Sequence, residues 1–169
     1  FPVDYQYLDK FTDCILHAAG QADLLAMWHL NMEDFVIEQY ANQADLTFLF
    51  RLEPWLYNGR PWSAALKGKK VLVIHPFEDT IRAQYERRDK LFPGTDILPE
   101  FELHTLKAIQ TLCGEKDERF GTWFDALDYM YKEAMKIDFD IAIIGCGAYG
   151  MPLAGMVKKG GKQAISFGG

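Results

Sequence analysis

The hydrophobic and polar positions of the chain follow two periods, one typical of helices and one typical of strands. Apolar residues recur at helical spacing over residues 4–19, which predicts an amphipathic helix that ends at Gly20. Continuous apolar runs follow Lys70 and Asp140. Such runs are typical of strands that are covered on both faces, as in a parallel sheet. The pattern therefore predicts buried strands that alternate with helices.

The remaining elements are predicted from the same periods and from helix-capping signals. Strands are expected at residues 22–28, 46–50, 69–75, 102–106, 139–144 and 162–167. Besides the helix at residues 4–19, helices are expected at residues 31–40, 63–67, 81–91, 123–134 and 151–159. Residues 100–112 fit a helix almost as well as a strand. Asn31 and Thr122 are predicted N-caps because an acidic residue follows each of them three positions later. Asp79 or Thr80 is the predicted N-cap before residues 81–91.

The order of these elements predicts the fold class. Helix–strand–helix–strand succession at this spacing is the pattern of parallel crossovers. We expect an α/β fold, a single Rossmann-like domain whose mostly parallel sheet is flanked by helices. With 169 residues the chain is long enough for one domain with a sizeable core. We expect residues 1–169 to be one domain truncated at both ends, since the sequence begins at Phe1 and stops at Gly168-Gly169 after an apolar run.

Composition excludes several classes of function. The net charge of −6 argues against a general nucleic-acid binder, which needs a basic face. No apolar run approaches the roughly 20 residues of a membrane span, and these residues show no basic-then-apolar pattern typical of a signal segment. Three cysteines without metal-like spacing favour a reduced, cytoplasmic setting. The expected partner is a small-molecule nucleotide ligand.

The strongest single signal is the segment Gly145–Gly150, called the glycine turn below. It has Gly-x-Gly-x-x-Gly spacing between a predicted strand and a predicted helix. Backbone N–H groups and a helix N-terminus converge in such turns, where a phosphate can bind. Gly145, Gly147 and Gly150 are therefore the predicted cofactor-binding residues. A purely structural tight turn is the alternative interpretation.

A dinucleotide such as NAD(P) is less favoured as the ligand of this turn. A dinucleotide site expects an acidic residue at the end of the next strand, to bind the ribose hydroxyls. That position falls near residues 167–169, none of which is acidic. Tyr149 and Pro152 also make the start of the helix bulkier than a close pyrophosphate contact prefers. Another phosphate-bearing ligand, such as a nucleotide sugar, suits the segment better.

A second set of polar side chains, His75 to Arg82, lies at the predicted C-terminal end of a central strand, where open α/β sheets bind ligands. His75, Glu78 and Asp79 are the candidate catalytic residues. The carboxylate of Glu78 or Asp79 could act as general base on a sugar hydroxyl. Asp79 is also the candidate ligand of a divalent cation, Mg²⁺ or Mn²⁺. Arg82 could bind a phosphate oxygen and is counted as cofactor-binding. Alternatively, Glu78 and Asp79 only complement the helix dipole.

Three aromatic residues, Trp55, Tyr57 and Trp62, lie within eight positions of a breaker-rich connection. They either seal one edge of the core or form a stacking wall for a sugar or base ring. Cys146 lies inside the glycine turn, near a helix N-terminus that could lower its pKa. It has no obvious histidine partner, and packing of a small residue explains it better than nucleophilic chemistry does.

Five segments carry a resemblance to a known family. They are Leu66–Phe77 (LKGKKVLVIHPF), Leu98–Glu102 (LPEFE), Trp123–Asp128 (WFDALD), Asp140–Gly150 (DIAIIGCGAYG) and Lys162–Ile165 (KQAI). Over roughly residues 22–167 the chain resembles bacterial proteins linked with surface-polysaccharide synthesis. Those proteins in turn resemble glycosyltransferases of the GT-D type. The resemblance implies a Rossmann-like fold that transfers a sugar from a nucleotide sugar with the help of a divalent metal.

One motif of GT-D enzymes is missing from this sequence. Those enzymes carry an Asp-x-Glu motif early in the domain, which serves the metal and the nucleotide sugar. The nearest acidic residues here are Glu33-Asp34 and the carboxylates of residues 75–82. We therefore expect a glycosyltransferase-like domain that binds a nucleotide sugar. The alternatives are an NAD(P)-binding Rossmann oxidoreductase and a non-catalytic domain of the same fold.

Overall fold

The computed structural model describes residues 5–56, 59–111 and 117–168. Phe1, Tyr57 and Gly169, which entered the expectations above, lie outside these residues. The helices are α1 (Tyr5–Ala19), α2 (Glu33–Tyr40), α3 (Glu78–Tyr85), α4 (Arg88–Leu91), α5 (Trp123–Ala134) and α6 (Gly150–Lys159). The strands are β1 (Leu24–Met27), β2 (Asp45–Phe48), β3 (Lys70–His75), β4 (Glu102–Lys107), β5 (Ile141–Ile144) and β6 (Gln163–Ser166). Short 3₁₀ segments lie at Leu49–Leu52, Pro54–Leu56, Trp62–Leu66 and Gly147–Tyr149.

The strands form two parallel sheets flanked by helices, which confirms the α/β class. A four-stranded sheet has the order β4-β3-β5-β6, and every neighbouring pair in it is parallel. Strands β1 and β2 pair with each other in a separate two-stranded sheet. The expectation of one sheet is therefore wrong. Burial of the strand predicted at residues 22–28 is wrong as well, since Leu24 is 54% exposed and the other residues of β1 are only half-buried.

One face of the four-stranded sheet carries the main core. The strand side chains that point to it include Leu72, Ile74, Ala142 and Ile144, all fully buried. Helices α5 and α6 cover them, and α1 packs on α6. Gly155 allows that close packing, since a Cβ there would lie 3.2 Å from Ala18. This face is continuous and tightly filled.

Helix α5 begins as its sequence predicts. Thr122 is its N-cap: the Thr122 hydroxyl accepts a hydrogen bond from the Asp125 N–H at 3.2 Å, and the Asp125 carboxylate accepts one from the Thr122 N–H at 2.8 Å. This capping box satisfies two backbone donors that the first turn leaves without helical partners. The helix is thereby fixed on the packed face.

The opposite face of the sheet is covered less completely. Val73 and Ile143 point to it and are only half-buried, although both lie on central strands. Tyr85 of α3 packs there, and its hydroxyl both accepts from the Phe101 N–H at 2.7 Å and donates to the Phe101 carbonyl at 2.8 Å. Strands of parallel sheets are usually buried on both faces, so this incomplete cover is a distinguishing feature of the fold.

Two helix starts differ from expectation. The N-cap of α2 is Met32, in a left-handed conformation (φ 69°), and not Asn31. The Glu33 carboxylate accepts hydrogen bonds from the Trp28 and Leu30 N–H groups, and the N-cap lies one residue later than expected. Helix α3 begins at Glu78, and its N-cap Phe77 offers no side-chain bond, so neither Asp79 nor Thr80 caps it.

The expected helix over residues 81–91 is divided into α3 and α4. The division falls between Tyr85 and Arg88, where the side chain of Tyr85 is bound to the backbone of Phe101. In the described part of the chain, no helix has the length and apolar character needed to cross a bilayer.

Candidate functional site

The site is placed by the order of the strands. The chain goes from β3 to its neighbour β4 on one side and then to β5 on the other side. At such a reversal the loops after the two central strands separate, and open α/β sheets bind ligands in the resulting crevice. The corresponding region of this sheet, called the crevice below, lies beyond His75 at the end of β3 and Gly145 after the end of β5.

His75 and Gly145 are in contact across this crevice. The Gly145 N–H donates to the Ile74 carbonyl at 2.9 Å, which holds the two strand ends together. A Cβ at Gly145 would lie 2.8 Å from Cδ2 of His75, so no larger residue fits there without displacing the imidazole. The two strongest signals of the sequence therefore meet at one place.

Gly147 and Gly150 occupy their positions in the turn for different structural reasons. Gly147 has φ +58° and faces open space, with no atom within 4 Å of a Cβ placed there. A Cβ at Gly150 would lie 2.8 Å from Oγ of Ser166, so this glycine allows close contact of α6 with β6. Helix α6 then begins without a side-chain cap. The turn thus presents backbone, rather than side chains, toward the crevice.

Tyr149 does not obstruct this turn. Its ring is buried and stacks on Trp123, with 4.6 Å between the ring centroids. Its hydroxyl bonds to that of Thr111 at 3.1 Å, and burial raises the pKa of the phenol. The expectation that Tyr149 crowds a bound pyrophosphate is corrected, because the ring turns into the core.

Cys146 is a packing residue. Its side chain belongs to the core beneath the turn, and burial raises the pKa of the thiol from 9.0 to about 12. A reactive cysteine needs a thiolate near neutral pH. The start of α6 therefore does not activate Cys146, in agreement with the preference for packing.

His75 is oriented by the loop that follows it. Its Nδ1 accepts a hydrogen bond from the Phe77 N–H at 3.0 Å. In the neutral ring the proton then lies on Nε2. Nε2 is 3.5 Å from the Cβ position of Gly145. His75 can therefore donate a hydrogen bond to an acceptor oxygen bound at the glycine turn.

The other candidates of this loop form a second cluster around Arg82. Its guanidinium lies 3.6 Å from a Glu78 carboxylate oxygen, 3.9 Å from one of Asp79 and 2.8 Å from Oγ1 of Thr105. Glu78 is largely covered, whereas the Asp79 side chain is 88% exposed. Thr105 belongs to β4, on the opposite side of β3 from β5. The structure therefore separates Arg82 and the two carboxylates from His75 and the glycine turn.

A cation at Asp79 would compete with Arg82 for the same carboxylate oxygens. Within residues 5–56, 59–111 and 117–168, no three His, Cys, Asp or Glu side chains are grouped to hold a metal ion. Mg²⁺ is often bound by one or two carboxylates together with phosphate oxygens of the substrate. Glu78 and Asp79 fit that incomplete kind of site, so a metal at Asp79 remains a prediction.

An apolar cavity of about 270 Å³ lies on the less covered face of the sheet. Its floor includes Val73 and Ile143, and its wall includes Trp55, Trp62 and several other aromatic side chains. Trp62 also donates from Nε1 to the Leu52 carbonyl at 2.8 Å. Trp55 is 49% exposed, so it does not simply seal the core.

The aromatic cavity residues that sequence reasoning missed are Tyr85, Phe92, Phe101 and Phe167. Phe167 follows β6 directly, and its ring contacts both Trp55 and Trp62, at centroid distances of 6.3 and 6.0 Å. Strand parity could have found part of the set, since Phe101 and Leu103 alternate with exposed Glu100 and Glu102.

We compared the chain with family models, with curated proteins and with solved structures, and none of them matches it.

Proposed function

We propose that this chain is a Rossmann-like, glycosyltransferase-like domain that binds a nucleotide sugar and serves bacterial surface-polysaccharide synthesis. The observation that carries the proposal is the contact between His75 and Gly145. It brings the glycine turn and the loop after β3 together at the C-terminal ends of adjacent parallel strands. The five sequence segments resemble bacterial proteins linked with surface-polysaccharide synthesis, which in turn resemble GT-D glycosyltransferases, and this resemblance supports the same activity.

The glycine turn would bind the diphosphate of the donor. Gly147 leaves room for a ligand against the backbone, and the uncapped start of α6 favours negative charge. The Nε2–H of His75 would donate to a phosphate oxygen. Bonds of this kind grow stronger as charge develops on the leaving diphosphate, which is how such a site assists sugar transfer.

Arg82, Glu78 and Asp79 would complete the site from the other side of β3. The Arg82 side chain is 56% exposed, so little packing opposes its turning toward a bound diphosphate. Glu78 would accept the proton of the acceptor hydroxyl. Asp79 would hold a divalent cation, Mg²⁺ or Mn²⁺, which offsets phosphate charge. The Asp-x-Glu motif of GT-D enzymes is not found early in the chain, so these carboxylates take its place in the proposal.

The alternative of an NAD(P)-binding oxidoreductase has less support. Strand β6 ends at Ser166, and Phe167 and Gly168 follow. The carboxylate that would bind the adenosine ribose in such enzymes is not present at that position.

Thermal unfolding with added ligands tests the proposal. We expect UDP-sugars to raise Tm in the presence of Mn²⁺, and NAD(H) to leave it unchanged. A ligand at 100-fold excess over its Kd stabilises by about 2.7 kcal/mol, which is about 5–10 °C for a domain of this size. Stabilisation by NAD(H) alone, independent of metal, would contradict the proposal.

A pair of glycine variants makes the test specific. Gly147→Asn places a side chain in the open space of the turn, and Asn tolerates the left-handed backbone better than other residues do. Gly161→Asn is the control, since Gly161 also has positive φ and open surroundings but lies after the C-terminal end of α6. Only the first variant should lose the increase in Tm that UDP-sugars cause.

If the sugar nucleotide binds and no transfer to any acceptor is found, the non-catalytic alternative gains support.

A further inference from the structure

The apolar cavity has almost no polar group left to bind a ligand. Five of its described lining residues carry a polar group in the side chain: Trp55, Trp62, Ser63, Gln84 and Tyr85. The indole N–H of Trp62 donates to the Leu52 carbonyl, and the Ser63 hydroxyl donates to the Ile97 carbonyl at 2.7 Å.

The other three polar side chains offer little more to a ligand inside the cavity. The Tyr85 hydroxyl is engaged by the backbone of Phe101 on both its donor and its acceptor side. Gln84 and Trp55 are both exposed to solvent. Apart from these two exposed residues, the wall therefore consists of apolar atoms and of polar groups that are already paired.

Such a wall discriminates between classes of ligand. A base or a sugar ring buried here would lose its hydrogen bonds to water without replacement, at a cost of several kcal/mol per polar group on apolar-transfer scales. A hydrocarbon loses nothing comparable and gains from burial of its surface. The aromatic wall is one of two expected roles of these residues, with a sugar or base ring as its ligand. Its lining suits an apolar chain better.

The volume of the cavity suits that class of ligand. An engineered apolar cavity of about 150 Å³ stays dry and binds benzene, and the cavity here measures about 270 Å³. The half-buried floor at Val73 and Ile143 is apolar surface that an occupant would remove from water. We propose that this cavity is a binding site for a linear hydrocarbon chain, acyl or isoprenoid, of a lipid-like ligand.

Phe167 connects the cavity with the crevice. Its ring lies on the cavity wall, while its N–H donates to the Ile144 carbonyl at 2.7 Å and its carbonyl oxygen lies 3.8 Å from the Cβ position of Gly145. A chain bound in the cavity would therefore have its polar end near the glycine turn. If the proposed function holds, on which this role rests, the chain belongs to the sugar acceptor.

Tryptophan fluorescence can measure binding, because Trp55 and Trp62 line the cavity. Terminally brominated alkanols serve as probes, since bromine quenches an indole on contact. The exposed Trp28 is first replaced (Trp28→Phe) to remove its contribution. We expect saturable quenching by bromohexanol, bromooctanol and bromodecanol, with affinity rising about fourfold per methylene until the cavity is filled.

A matched pair of helix variants tests the location. Gln84→Phe adds a ring at the rim of the cavity, and Ala83→Phe adds the same ring on an exposed position of α3 outside it. We expect Gln84→Phe to weaken bromodecanol binding about tenfold, equivalent to losing contact with about two methylene groups. Ala83→Phe should bind like the parent protein, and equal Tm values for both variants would show that the fold is kept.

Quenching that does not saturate, or that both variants show equally, would overturn the proposal. The outcome is independent of the nucleotide test above. Bromodecanol binding without UDP-sugar binding would leave the cavity assignment intact and remove only the role as acceptor site. UDP-sugar binding without bromodecanol binding would overturn the cavity assignment and leave the proposed nucleotide-sugar binding intact.

Discussion

The two faces of the four-stranded sheet differ in how fully they are packed. On the face covered by α5 and α6, the strand side chains Leu72, Ile74 and Ile144 are completely buried. On the other face the neighbouring residues Val73 and Ile143 are half-buried and form the floor of a cavity. The same strands therefore contribute to the stability of the domain with one face and leave room for a ligand with the other.

This difference predicts which substitutions destabilise the domain. Interiors are close-packed, so removal of side-chain atoms from a filled core leaves a void that costs free energy. A side chain beside an existing cavity loses fewer contacts when it is shortened. Residues of one type at consecutive positions of β5 allow a direct comparison of the two faces.

The largest effect is expected for Ile144→Ala on the packed face. It should lower the free energy of unfolding by about 4 kcal/mol, the upper part of the range for buried Ile→Ala changes. Ile143→Ala is the matched control on the other face and should cost about 1–2 kcal/mol, since its side chain is only half-buried and lines the cavity. Urea unfolding of both variants measures the difference. Equal losses would contradict the comparison of the faces.

A pH effect of intermediate size is expected from Cys146. Burial raises the pKa of its thiol from 9.0 to about 12, so above pH 9 the unfolded chain loses this proton while the native protein retains it. The stability contribution is complete below pH 9 and is lost as the pH rises toward 12, with a slope of up to about 1.4 kcal/mol per pH unit.

The Cys146→Ala variant should remove this part of the pH dependence. Between about pH 9 and pH 11 it should lose about 2 kcal/mol less stability than the wild type. Cys14→Ala is the control, because burial raises that pKa too, with an opposing effect of Lys10, and a smaller change is expected. Parallel pH curves for wild type and Cys146→Ala, from urea unfolding, would show that the thiol is not protected in the native state.

The smallest effect on stability is expected for Arg82→Gln. Arg82 is exposed and its ion pairs with Glu78 and Asp79 lie at 3.6 and 3.9 Å, so the loss should stay within about 0.5 kcal/mol. Under the proposed function the same change should weaken UDP-sugar binding. A loss of several kcal/mol in urea unfolding would assign Arg82 to the structure rather than to the site.

The sequence predicts those parts of the fold that depend on local signals. The apolar runs of β3 and β5 and the capping box at Thr122 and Asp125 are local, and the structure confirms them. The N-cap at Asn31 is wrong because the Glu33 carboxylate accepts a hydrogen bond from the Trp28 N–H, five residues earlier, a local interaction that the capping pattern does not include.

The candidate site could be predicted only in pieces. The glycine turn and the His75 loop are each visible in the sequence, but their contact depends on β5 pairing with β3 on the side opposite β4. Strand order is a property of the whole sheet, and no local pattern specifies it. The same holds for Phe167, which becomes a cavity residue only because β6 lies beside β5.

The central claim is that the crevice between the ends of β3 and β5 binds the diphosphate of a nucleotide sugar. Amide chemical-shift mapping by NMR during titration with UDP tests it most directly. The account predicts the largest shifts at Gly145 and Gly147 and at the backbone after His75, and their loss in Gly147→Asn but not in Gly161→Asn. Absence of shifts at the glycine turn, or equal shifts in both variants, would contradict it.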